Sequence, residues 1–312
     1  MNIKETLSIL MLLKIKGVGP VVANKIIVGL QEQGVGLEDL FDNNKKEVLK
    51  NWLNKGQIIQ FENSDSELYE HLKTLKENNT KFIGYDDSIY PSLLKKGLKQ
   101  NTPPILMAKG NLELLNKKAV GFCGSRKASE RGLDVARDCA EQLAKNDITV
   151  VSGYAAGVDQ HTHFTALDSG GSTIIVMPEG IMNFRVRKAL KPLWDWSRVL
   201  VLSEFGPMDR WTTSRAMQRN KTIIGLSFAM ILIESGKNGG SMAAGKTTLG
   251  LKKQLFAPEY EGMPDFAVGN RYLLEQGAIP LMKNKTTGRA NLSILFDSMK
   301  SPATPPEQMS FI

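Results

Sequence analysis

The chain has 312 residues, 42% hydrophobic and 23% charged, with a formal net charge of +8. That length and balance suit about two packed globular domains and exclude a fibrous or wholly disordered chain. The basic excess favours a polyanionic partner, nucleic acid before an anionic membrane surface. The two cysteines, Cys123 and Cys139, fall at apolar positions with no metal-type spacing, which predicts buried free thiols in a reducing compartment.

Residues 1–75 read as a small helical domain. The run LSILMLL (7–13) is short, follows Lys4 and Glu5 and lacks a small-residue cleavage site, so it reads as a helix, not as a signal peptide. No apolar run approaches the roughly 18–20 residues that span a bilayer; the expectation is a soluble, cytoplasmic protein. LLKIKGVGPVVANKII (12–27) has the pattern of a helix-hairpin-helix. Gly17, Val18 and Gly19 would form a tight hairpin whose amides grip a phosphate without reading sequence. A structural helical hairpin without DNA contact fits the same residues.

Residues 76–117 carry turn signals (NNTKFIGYDDSIYP, KQNTPP) and read as a connecting segment packed on the core domain. From 118 to 299 short apolar runs alternate with helical segments: AVGFC (119–123), ITVVS (148–152), TIIVM (173–177), VLVLS (199–203), FAMILI (228–233), QLFA (254–257) and AIPLM (278–282). Between the first two, Leu133, Ala136, Ala140, Leu143 and Ala144 keep a helical period. Continuous apolar strands separated by helices predict a mostly parallel sheet covered on both faces, a doubly wound α/β domain. Ligands of such sheets sit beyond the carboxyl ends of the strands. The Pro-rich segment 300–312 reads as a disordered tail.

GSMAAGKT (240–247) matches the phosphate-loop pattern G-x-x-x-x-G-K-[ST]. In such a loop the first glycine leaves the strand directly, whereas here residues 234–239 intervene, and no later apolar run ends in a magnesium-binding Asp. Ser241 to Lys253 instead predicts a helix capped by Ser241, with Lys246 and Thr247 in its interior. The pattern therefore reads as a false match, although SGKNGGS at a helix start still suits an anion.

Other strand ends carry binding chemistry. After the first run come Gly124, Ser125 and Arg126: close backbone approach, a hydroxyl with an amide, and a bidentate phosphate donor. After the second, Gly153 and Gly157 flank small residues, and Asp159 caps a helix whose amides favour an anion. His161 and His163 stand two apart, cannot share a metal from one helix face, and read as surface or packing residues. In GIMNFRVRKALK (180–191), Phe184 stands beside Arg185, Arg187 and Lys188, an aromatic among cations that suits single-stranded nucleic acid. RAMQRNKTIIGLS (215–227) offers Arg215, Arg219, Asn220 and Lys221. A solvated amphipathic helix is the plain alternative for both. No catalytic triad, paired acid cluster or metal-ligand spacing emerges. Glu179, Glu204 and Glu234 stand at strand ends, where one could act as a general acid or base.

YPSLL (90–94), AVGFCGSRKAS, SGYAAGVDQHTHFTALDSGGSTIIVM, VLVLSEF, QRNKTIIGLS, ESGKNGGSMAAGK and FAP (256–258), in this order, resemble the DNA-processing protein A (DprA/Smf) family over about residues 85–260. The resemblance implies an extended Rossmann-like fold; with no catalytic set found, the expectation is a non-enzymatic protein without a cofactor. It implies single-stranded DNA in a basic pocket, homodimers, and loading of RecA recombinase in transformation. A mobile-element or phage-defence role fits the same fold. On the family pattern Gly124, Ser125 and Arg126 form a phosphate-gripping turn, and Gly153 and Gly157 line the pocket. Arg219, Asn220 and Lys221 stand where the family has Arg-Asn-Arg. Gly240 and Ser241 match its Gly-Ser turn, and Lys246 falls where Arg is common. Ala156 departs, standing where the family usually has Arg. So does Glu179, an acid where the family tends to be neutral. The family's Tyr-Pro loop is absent, with Phe184 and Arg185 nearby, and no C-terminal winged helix is expected. Two rival readings remain: a small-nucleotide sensor or phosphoribohydrolase-like enzyme, whose P-G-G-x-G-T-x-x-E motif does not occur here, and a protein whose basic rim binds an acidic protein.

Overall fold

The structure, a computed structural model, describes residues 1–42, 45–62, 66–262 and 264–300. It opens with four helices, α1 (Ile3–Lys14), α2 (Pro20–Glu32), α3 (Lys55–Glu62) and α4 (Ser66–Glu77). A capping box starts α1: Asn2 Oδ1 accepts from the Glu5 amide, and the Glu5 carboxylate accepts from the Asn2 amide, which satisfies two orphan donors. Pro20 at the first position of α2 fixes a helical φ where no amide donor is needed.

There follow β1 (Lys81–Gly84), α5 (Ser92–Leu98), β2 (Ile105–Gly110), β3 (Ala119–Cys123), α6 (Glu130–Lys145), β4 (Thr149–Ser152), α7 (Val158–Asp168), β5 (Thr173–Val176) and β6 (Val199–Ser203). The chain continues with α8 (Thr213–Leu226), β7 (Ala229–Leu232), α9 (Gly240–Gly250), β8 (Leu255–Pro258), α10 (Val268–Glu275), β9 (Ile279–Leu281) and α11 (Ser293–Lys300). The strands form one sheet in the order β1-β2-β6-β5-β4-β3-β7-β8-β9. From β6 to β9 all neighbours run parallel, and β2 and β1 extend the edge antiparallel. The seven apolar runs of residues 119–282 are thus the seven parallel strands of a doubly wound fold. The segment 76–117 supplies the two further strands.

Strands β4 to β8 are buried along their whole length, as a sheet covered on both faces requires. Alternate residues point to opposite faces. On one face Val151, Ile174, Leu200 and Met230 pack with Leu94, Ile223 and Met242 of α5, α8 and α9. On the other, Val120, Val150 and Ile231 pack with Ala136, Ala140, Ala166 and Leu295 of α6, α7 and α11. That second layer continues beneath β5, β6 and β2, where Ile175, Val201 and Met107 share a cluster with Ile9, Leu12, Ile26 and Leu72 of the front helices.

Strand order reverses between β3 and β7: the crossover that leaves β3 runs through α6 on one face, and the one that reaches β7 runs through α8 on the other. Their carboxyl ends therefore open a crevice, where ligands of doubly wound sheets bind. The helix start expected at Ser241 lies two residues earlier. Gly239, at φ +105°, is the cap of α9, and Ser241 lies within its first turn, because only glycine tolerates that backbone at the turn. The expected tail beyond Lys300 lies outside the described residues.

Candidate nucleic-acid interface

A cleft of about 360 Å³ opens at the carboxyl ends of β3, β4 and β7. Its first wall is the β3 loop, with Gly124, Ser125 and Arg126; its second is the β4 loop, with Gly153 and Asp159. The turn into α9 contributes Asn238, Gly240 and Ser241. The last wall is one stripe of α8, where Thr213, Ala216, Met217, Asn220 and Ile223 follow the spacing of a helical face. Two glycines make this assembly possible. Gly157, at φ +75°, lets the β4 loop meet the β3 loop: a Cβ there would lie 2.5 Å from Ser125 O and 2.7 Å from Arg126 O. A Cβ on Gly153 would lie 1.7 Å from Arg219 Nη1.

Arg219 is the buried charge of the cleft, 6% exposed. Its Nη1 donates to Val176 O at 3.1 Å, and its Nε has no partner among the described residues. Burial pulls its pKa down, and the Asp159 carboxylate opposes that loss. Asp159 is fixed in turn by accepting from Ser152 Oγ at 2.8 Å and the Ala155 amide at 3.1 Å. A buried guanidinium with a spare donor is costly unless an anion or acceptor completes it.

Beside the cleft lies a second pocket of about 310 Å³, sharing Arg126, Trp211 and Arg219 with it and adding Tyr154, Glu179 and Arg187. The Arg126 guanidinium sits 5.6 Å from the ring centre of Trp211, itself 46% exposed. Arg187 lies 4.4 Å over the Tyr154 ring. It donates to Ala155 O at 3.0 Å, to Gln160 Oε1 at 3.1 Å and to Tyr154 O.

The geometry thus gathers Gly124, Ser125, Arg126, Gly153, Arg219, Asn220, Gly240 and Ser241 around one space, with Gly157 holding two of its walls together. It sets the other candidate residues apart. Lys221 is exposed, one residue past the cleft-facing stripe, on the side where its charge acts on Glu204. Lys246 lies in the interior of α9, 4.9 Å over the Tyr272 ring, away from the mouth of the helix where a phosphate-loop lysine would have to stand. Phe184 is held among Tyr154, Trp194 and Trp196 at centroid distances of 5.3, 5.6 and 6.4 Å, so its ring is already packed. Arg185 turns back onto Met182 O and Phe184 O, and Lys188 is exposed and lines neither pocket. Arg215 pairs with Asp209 at 3.0 Å. In the hairpin Val18 is buried, while the Lys16 amide donates to Gln60 Oε1 and Gln57 Nε2 donates to Lys16 O; none of its residues lines the cleft.

Among the lining side chains, Trp211 and Tyr154 were not singled out from the sequence, nor was Arg187 set apart as the inward cation of its cluster. The signal for Trp211 is an aromatic between Arg210 and Arg215 directly before a helix cap. The strand-end acids divide. Glu234, fully buried, accepts from the Ser129 amide at 2.8 Å, Ser129 Oγ at 2.6 Å and Tyr260 OH at 3.3 Å, which ties the start of α6 to β7. Glu204 accepts from Thr222 Oγ1 at 2.6 Å and Gln218 Nε2 at 2.7 Å; burial raises its pKa and these bonds oppose the rise. Glu234 also borders the cleft, with its carboxylate taken up by these bonds, and Glu179 lines the second pocket. His163 is buried between Thr173 Oγ1 and Gly153 O, a packing residue whose pKa burial lowers. Cys139 is buried as expected, whereas Cys123, at the end of β3, is half-buried and borders the cleft; desolvation pushes both thiols up. No group of three or more metal-ligating side chains occurs among the described residues, and none of their helices is long and apolar enough to cross a membrane.

Fold and cleft together define a doubly wound protein whose strand-end loops converge on a cationic, amide-rich space at the point where strand order reverses. The family model described as DNA recombination-mediator protein A matches residues 81–289, and this chain belongs to that family. It is 33% identical over 180 residues to the DNA processing protein DprA of Streptococcus pneumoniae, a match covering 57% of this chain and 63% of that protein, under two thirds of the relative's own length. Identity to the Bacillus subtilis DNA processing protein DprA is 27% over 226 residues, covering 72% of this chain and 74% of the relative. The solved structure of the S. pneumoniae protein superposes with a TM-score of 0.71 at 25% identity over 90% of this chain and 95% of that one. A Helicobacter pylori DNA processing protein A, solved to describe its own single-stranded DNA binding mode, shares the fold at a TM-score of 0.57 and 23% identity, over 71% of this chain and 95% of that one.

Proposed function

We propose that this chain binds single-stranded DNA in the cleft and acts as a recombination mediator without chemistry of its own. The observation that carries this reading is the buried Arg219, a guanidinium with an unpartnered Nε, behind a space rimmed by Arg126, the amides of the α9 start and an exposed Trp211. Such a space can neutralise a backbone phosphate while a base stacks on the indole. The helix start at Gly239 and Gly240 adds a positive dipole end. Of the candidate residues, we assign Gly124, Ser125, Arg126, Gly153, Arg219, Asn220, Gly240 and Ser241 to the backbone grip, with Gly157 positioning them. Gly17, Val18 and Gly19 of the hairpin are a second, weaker contact.

Family membership supports the finer reading. The chain works in the cytoplasm as a homodimer and helps a RecA-type recombinase onto bound strands, in transformation, a mobile element or phage defence. Photo-cross-linking with a halogenated single-stranded oligonucleotide, followed by peptide mapping, tests the assignment. Adducts on Trp211 and Tyr154 are expected; adducts confined to other surfaces would overturn it. A cleft of this size also suits a single nucleotide, the rival reading. Competition by nucleoside monophosphates at micromolar concentration, or release of free base from them, would favour it.

A further inference from the structure

The pocket beside the cleft holds a carboxylate that gripping a phosphate backbone does not call for. Glu179 follows β5 on a fixed main chain: Ser203 Oγ donates to Glu179 O at 2.8 Å, and the next amide, of Gly180, donates to Asp209 O at 2.8 Å. Its side chain is half-buried, and burial alone raises its pKa. Three guanidinia line the same pocket, yet none of them pairs with Glu179. Arg187 is spent on the β4 loop and Gln160, Arg126 rests over Trp211, and Arg219 holds Val176 O. Among the described residues the Glu179 carboxylate has neither a hydrogen bond nor an ion pair. It stands as an open pair of acceptors in a pocket walled by the rings of Tyr154 and Trp211.

An acid in this place repels phosphate, so in a site built for backbone alone it only weakens binding. Aromatic walls with a free carboxylate are instead the furniture of a pocket that takes an unstacked base and reads its hydrogen-bonding edge. We propose that Glu179 makes this pocket selective for guanine. The reading rests on the single-stranded DNA function proposed above. Guanine presents two parallel donors, N1–H and the exocyclic N2 amine, which match the two carboxylate oxygens as a bidentate pair. Adenine and cytosine each set one donor beside a ring-nitrogen lone pair, which the carboxylate repels. Thymine sets a single N–H between two carbonyl oxygens. A half-buried acceptor pair that loses water on binding disfavours bases that leave it unmatched.

The test uses the full chain and all-thymine oligonucleotides carrying one central guanine, adenine, cytosine or hypoxanthine, with affinities read by fluorescence anisotropy. A central guanine should tighten binding on the order of tenfold over all-thymine, and hypoxanthine, which lacks the N2 amine, should lose most of that gain. Glu179→Gln should abolish the guanine preference and bind the all-thymine strand more tightly, because a negative charge facing the phosphates is gone; that tighter binding also reports an intact fold. Equal affinities for all bases in the unaltered chain, or a guanine preference that survives in Glu179→Gln, would overturn the assignment while leaving DNA binding in place. Failure of the unaltered chain to bind any oligonucleotide would instead overturn the DNA-binding reading itself, and the guanine pocket with it.

Discussion

Two glycine-rich turns open helices in this chain, and they are built to opposite ends. The turn before α2, Gly17 to Gly19, is closed by its own domain: α3 takes the Lys16 amide through Gln60 and covers the loop through Gln57, and Val18 is buried. The turn before α9 is open, with Asn238, Gly239 and Gly240 exposed and facing the β3 and β4 loops across a cleft. A glycine turn at a helix start exposes amides wherever it occurs. It can serve as a binding site where several loops converge and leave polar groups unspent, as Arg219 Nε is. That difference comes from the sheet, because the second turn stands at the strand-order reversal and the first does not.

The comparison can be broken most sharply at Gly153. Gly153→Ala drives a Cβ into the Arg219 guanidinium, and an overpacked core costs about 1–3 kcal/mol. The urea midpoint should fall accordingly, and oligonucleotide binding should be lost with the displaced arginine. An unshifted midpoint would show that Arg219 is not held where the cleft needs it. Trp211→Ala should weaken single-stranded DNA binding by about 1–3 kcal/mol, the worth of one base stacked on an aromatic, with Trp211→Phe retaining most of the affinity; equal loss in both variants would exclude stacking. Arg126→Ala removes one phosphate partner. Affinity at low salt should fall about tenfold, and the slope of log affinity against log salt should lessen by about 0.7.

On the other side of the comparison the effects shrink. Gly17→Ala forces a side chain to φ +89° with ordinary space around it. It should cost about 1 kcal/mol of stability and change oligonucleotide affinity by less than about twofold, since the closed hairpin contributes little to binding. Lys221→Ala and Lys246→Ala should be smallest, each within about twofold in affinity at physiological salt, where exposed charges are screened beyond roughly 8 Å. A tenfold loss in either would return that lysine to the binding surface.

The parallel strands were legible because each is an unbroken apolar run, which a sheet covered on both faces demands. The strands β1 and β2 were not, because KFIG and ILMAKG sit among turn residues and pair antiparallel at the edge, where no crossover helix marks them. The cleft was legible as a place, since strand-end loops with Gly, Ser and Arg must meet at the reversal point. Which cations enter it was not. In α8 the stripe through Ala216, Asn220 and Ile223 leaves Arg219 and Lys221 on its two flanks, and only the packed helix shows that Arg219 turns inward behind Gly153. Among Arg185, Arg187 and Lys188 the choice depends on the Tyr154 ring, far off in sequence. Trp211 lay in a stretch with no periodicity to place it.

The central claim is that the cleft grips a single-stranded polynucleotide through its phosphates. It is tested most directly by titrating a labelled oligonucleotide, single-stranded and as duplex, with the unaltered chain across a salt series. Tighter binding of the single strand, with log affinity falling linearly against log salt by about 0.7 per phosphate held, is the predicted result. Affinity indifferent to salt, or equal for duplex and single strand, would contradict it.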